Sequence, residues 1–132
     1  MIWPDIFIRM PVTMATVRSA LADVVRVPEA DVFVVATLEE APTLEKVNAE
    51  LAAAGGDFPQ RLSVYVGDEF AELNVMEAIQ DLSRILRSSL VVPDDSADPY
   101  GVLLVEPYGA VMRTAVDVES LDEHGEYRLR RE

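Results

Sequence analysis

Carboxylates are the most abundant chemically capable side chains in this chain, and their densest run is Asp94-Asp95-Ser96-Ala97-Asp98. Oxygen ligands at alternating positions can wrap a hard cation such as calcium. Here the spacing fails. Counted from Asp94, Pro99 stands where a calcium loop needs its turn glycine, Val105 stands where it needs a bidentate acid, and Glu106 comes one residue late. The run therefore reads as a solvated turn ahead of a strand, and no metal ligand is assigned. The sole histidine, His124, lies among Asp122, Glu123 and Gly125, in what the local composition predicts to be an exposed turn between strands. No nucleophile-elbow pattern accompanies it. Gly55-Gly56 lacks the helix start and further glycine of a phosphate cradle, and no Walker-type Gly-x-x-x-x-Gly-Lys stretch occurs. Neither a catalytic residue nor a cofactor is assigned.

Charge is the feature that departs most from the ordinary. The 132 residues carry a formal net charge of −13 with eleven basic and twenty-four acidic residues. Residues 1–36 hold three arginines against four acids, and residues 37–132 hold eight basic residues against twenty acids. Such a field repels nucleic acid and anionic lipid at long range, so binding to either needs a local basic patch. Arg128, Arg130 and Arg131 are the only basic cluster, with Tyr127 as the sole interleaved aromatic. Nine acids against Arg113 alone in residues 94–126 give those arginines a nearer task, pairing with neighbouring carboxylates across strands. Nucleic acid and membrane are accordingly not expected as partners.

The elements that must position these groups follow from periodicity. Ile6, Ile8 and Met10 alternate with Asp5, Phe7 and Arg9 as a half-buried strand. Thr13 caps a helix running to about Arg26, stopped by Pro28. Val32-Phe33-Val34-Val35, apolar on both faces, predicts an interior strand. Pro42-Thr43 opens a second helix with Leu44, Val47, Leu51 and Ala54 as its apolar stripe, ended by Gly55-Gly56. Leu62, Val64 and Val66 alternate as a strand before a turn at Gly67-Asp68. Asn74 and Glu77 form a capping-box pattern ahead of the strongest helix, whose stripe is Val75, Ile79, Leu82 and Leu86. Leu90-Val92, Val102-Val105, 110–118 and Tyr127-Leu129 complete a C-terminal β-meander. The expected fold is a single α+β domain over residues 1–132, a mainly antiparallel sheet with about three helices on one face and a C-terminal β-meander. Phe7 and Tyr65 fall opposite the aliphatic residues of their strands, so they are core if both faces of the sheet are covered and surface if one is.

The chain lacks cysteine, which removes disulfides and thiolate chemistry and suits a reducing cytoplasm. It has no secretory leader pattern and no run of membrane-span length. A small, acidic, cysteine-free α+β domain of this kind is similar in general character to the bacterial immunity proteins that neutralise toxins, many of which are basic nucleases. That similarity implies an interaction protein that grips a basic partner protein. The residues favoured for the contact are Asp94, Asp95, Asp98, Glu119, Asp122 and Glu123. Two readings from other classes stand beside it: a small enzyme with a site assembled from scattered carboxylates, tyrosines and arginines, and a homodimer or larger homo-oligomer built through the edge strand of the C-terminal meander.

Overall fold

The first strand, β1 (Ile6–Ile8), has all three of its residues buried, and that fact defines the architecture. A strand buried on both faces must lie inside a sheet covered twice. The computed structural model describes residues 2–37, 46–94 and 98–130. Within them, β1 pairs antiparallel with β4 (Gln60–Val66) on one side and β5 (Leu90–Pro93) on the other. The remaining strands are β2 (Val32–Val35), β3 (Val47–Ala53), β6 (Gly101–Val105) and β7 (Val111–Ala115). The sheet has seven strands in the order β2-β3-β4-β1-β5-β6-β7. Every neighbouring pair is antiparallel except β2 and β3, and β5 to β7 form the C-terminal meander. The described residues make an α+β fold with three α-helices.

Two long helices cover one face. Helix α1 (Met14–Val25) starts where the Thr13 hydroxyl accepts the Thr16 amide at 3.1 Å, satisfying one of the unpaired amides of a first turn. Helix α2 (Val75–Leu86) starts where Asn74 accepts the Glu77 amide at 3.1 Å. Its Ala78, Ile79, Leu82 and Leu86 pack with Val17, Leu21 and Val25 of α1 on Ile6, Ile8, Leu62, Val64 and Leu90 of the sheet. The second face carries a smaller core of Phe7, Phe58, Val91, Val102, Leu104 and Val116, against which Leu121, Tyr127 and Leu129 pack. Phe7 is core at 6% exposure, whereas Tyr65 is at 36%. The second layer therefore roofs the β1-β5-β6 half of this face and leaves Tyr65 in solvent.

Four sequence expectations are corrected. The helix expected from Pro42 to Ala54 is strand β3 from Val47 onward; the part over 42–45 lies outside the described residues. Val47 and Leu51 are four apart, a step that returns to the same face of either a helix or a strand, and Ala49 between them is fully buried as only the strand period allows. Gly55 and Gly56 do hold positive φ angles, 79° and 76°, but they turn the chain between β3 and β4. Strand β2 is an edge and not interior; Val32 and Val34 pack into the helix-covered core, and apolar residues along a strand say nothing of its flanks. The segment around His124 is not a turn between strands but helix α3 (Val118–His124), which lies against the second core. The Tyr127–Leu129 strand contributes only single bridges, Tyr127 to Gly56 and Leu129 to Val116.

Candidate functional site

The acidic C-terminal segment is positioned by a short helix with strong local punctuation. Strand β7 leads into Val116, fully buried, and Asp117 then caps α3. One carboxylate oxygen of Asp117 accepts the Ser120 amide at 3.0 Å and the Ser120 hydroxyl at 2.8 Å. Those two hydrogen bonds favour the ionised form and hold the Asp117 carboxyl below its ordinary range, helped by the positive charges of Arg130 and Arg128. Gly125 ends the helix at φ 63°, the left-handed conformation that glycine adopts without penalty. The sequence places Asp117 in a strand over 110–118 and Gly125 in a turn, because seven residues are too few for helical periodicity to stand out.

The return of the chain fastens this helix to the sheet. Arg128 O accepts the Asp117 amide at 2.7 Å, Ala115 O accepts the Arg130 amide at 2.9 Å, and Tyr127 O accepts the Asp57 amide at 3.1 Å. The Leu129 amide donates to the Asp57 carboxylate at 3.1 Å. A Cβ on Gly56 would sit 2.9 Å from Tyr127 O, so the close approach of the two segments depends on that glycine. The Tyr127 ring lies 4.0 Å from that of Phe7, and burial raises the Tyr127 phenol above its usual range, with the charge of Asp5 adding to the effect.

On this base the candidate contact residues separate. Glu119, Asp122 and Glu123 are all exposed on α3, and Asp98 is exposed ahead of β6. Tyr100 joins the two groups: its amide donates to Asp98 at 3.0 Å and its hydroxyl donates to Asp122 at 2.8 Å. The hydrogen bond to Asp122 holds the Tyr100 proton and raises its pKa, with the charges of Asp122 and Asp98 acting in the same direction. Tyr100 is the residue that reading for carboxylates missed; an aromatic beside a turn carried no signal of what lies across from it. Asp94 is placed differently. Its side chain is only 3% exposed and pairs with Arg113 at 3.3 Å, which withdraws it from the outer surface into a cleft that Gly101, Thr114 and Arg130 also line. Asp95 lies outside the described residues.

The basic residues act locally. Arg128 pairs with Asp57 at 3.6 Å and Glu126 at 3.4 Å, and Arg61 pairs with Glu50 at 2.8 Å. Arg131 lies outside the described residues. Among the described residues, no group of three or more His, Asp or Glu is placed to hold a metal ion, and no helix is long and apolar enough to cross a membrane. Compared with protein families, curated proteins and solved structures, the chain matches none.

Proposed function

We propose that this protein is an interaction module of the cytoplasm that binds a basic protein partner through the α3 face, in the manner of an immunity-type inhibitor. The observation that carries this is the segment Asp117–Glu126, which holds five carboxylates and no lysine or arginine on a helix with three of those acids exposed. Like charges held on one short helix repel one another, and a cationic surface placed against them relieves that repulsion. The cap at Asp117, the anchor Leu121 in the second core and the Tyr100 tie to Asp122 fix the array before any partner arrives, so little order remains to be imposed on binding. Absence of cysteine fits a fold that needs no oxidising compartment.

The experiment is capture on the immobilised protein from native extract at low and then high salt, followed by association kinetics of the retained protein. A basic protein is expected, and its association rate should fall steeply with salt because charge steering is screened within about 10 Å at 0.1 M ionic strength. The isosteric triple variant Glu119→Gln, Asp122→Asn, Glu123→Gln should slow association roughly 10-fold or more. A partner whose association is indifferent both to salt and to the triple variant would refute the proposal.

A further inference from the structure

The open edge of strand β7 joins three observations that are independent of the acidic helix. The first is backbone pairing. The Glu106 amide donates to Ala110 O at 2.8 Å and the Val116 amide to Tyr100 O at 2.9 Å, and residues between them keep the same register. Antiparallel pairs alternate between bonded and non-bonded, so Met112 and Thr114 bond to β6 while the amides and carbonyls of Val111, Arg113 and Ala115 point outward. Ala115 O is taken by Arg130. Val111 and Arg113 have no backbone partner on that side among the described residues. At the opposite edge, the Val32 carbonyl of β2 already accepts from Arg18 at 3.1 Å.

The second observation is exposed apolar surface: Tyr108 at 77% and Met112 at 46% lie on the β6-β7 hairpin. The third is charge. Residues 107–116 contain Arg113 and no acid, within the stretch 37–132 that holds twenty of the twenty-four acids. A cationic partner of the α3 face is not drawn to such a strip. Two copies of a −13 chain repel one another through most of their surfaces, whereas this strand carries no acid of its own and the Asp94 carboxylate beside it is already paired with Arg113 at 3.3 Å.

The geometry points to a second copy of this chain as the occupant of the β7 edge, adding antiparallel about a two-fold axis through Val111. In that register Val111 opposes its own symmetry mate, and Arg113 lies opposite Gly109 of the other chain, which presents no side chain. The Val111 amides and carbonyls then close on one another and the Arg113 amide meets the Gly109 carbonyl, while the Gly109 amide keeps its bond to Glu106 O at 3.0 Å, and the two seven-stranded sheets become one. The open stretch is short, so the dimer is reversible and depends on concentration.

Sedimentation across a concentration series tests this. The mass should rise from 14.6 kDa toward twice that value, and Val111→Pro should stay at 14.6 kDa. Proline at 111 removes an outward amide and leaves the β6-β7 bonds intact, so far-ultraviolet circular dichroism should match the wild type. Amide exchange at Val111 and Arg113 of the wild-type chain provides a second measurement should the proline variant fail to fold: both amides should exchange more slowly as concentration rises. A wild-type chain that stays monomeric overturns the inference, as does a folded Val111→Pro that dimerises as strongly as the parent. So does protection of the two amides that does not change with concentration. The α3 triple variant should leave dimerisation unimpaired, so failure here and failure of the basic-partner proposal are separable.

Discussion

Truncating Phe58 to alanine tests whether the second layer is a packed core. Phe58 is fully buried in the loop between β3 and β4 and clusters with Phe7, Val91, Val102, Leu104 and Val116. Its ring also lies 4.9 Å from the guanidinium carbon of Arg9. Removing a buried phenylalanine ring costs about 3–5 kcal/mol through lost transfer energy and the cavity left behind. The Arg9 contact accounts for roughly 0.5–1 kcal/mol of the same total. Against a typical domain stability of about 5–15 kcal/mol, that is a large share. Urea unfolding of the wild type and variant, analysed with a common slope, measures it. The matched comparison is Tyr65→Ala on the same sheet face, where 36% exposure limits the cost to about 1 kcal/mol. A Phe58→Ala loss below about 1 kcal/mol, or equal losses from the two variants, would show that α3 and the C-terminal segment do not pack as described.

Two further outcomes follow from the backbone and the cap. Arg87 ends α2 at φ 54°, a conformation that costs a non-glycine residue about 1–2 kcal/mol; Arg87→Gly should therefore raise the melting temperature, after allowance for the greater freedom of glycine in the unfolded chain, and a fall in melting temperature would contradict the strain. Asp117 has a lowered carboxyl pKa, so its contribution is present above the ordinary unfolded value near about 3.9 and is lost as pH falls through the lower folded value. Asp117→Ala should accordingly destabilise at neutral pH, with a deficit that shrinks in acid; a deficit constant across that range would mean the cap acts without its charge.

The candidate site was half legible. Glu119, Asp122 and Glu123 stood out as an acidic run, and their exposure follows from charge alone, because ionised side chains stay in water unless paired. Asp94 looked equivalent to Asp98 in sequence, yet it ends buried against Arg113 because β5 and β7 flank β6, a neighbour relation that no local pattern encodes. Tyr100 carried no local sign of a role; its bond to Asp122, twenty-two residues away, exists only because α3 folds back over β6.

What the sequence determined by itself is the set of features whose causes lie within a few residues. Thr13 and Asn74 as caps, the apolar stripes of α1 and α2, and the alternation of β4 and β7 all follow from hydrogen bonds and side-chain directions within one turn or one pleat. The α+β class and the meander followed from their order. Tertiary structure decided whatever depends on distant partners: that Val47–Ala53 is a strand, because β4 and β2 pair with it on both sides; that β2 is an edge; that Phe7 is core while Tyr65 is wet. In each case the local pattern fits two outcomes nearly equally well, and burial against a remote segment supplies the free energy that separates them.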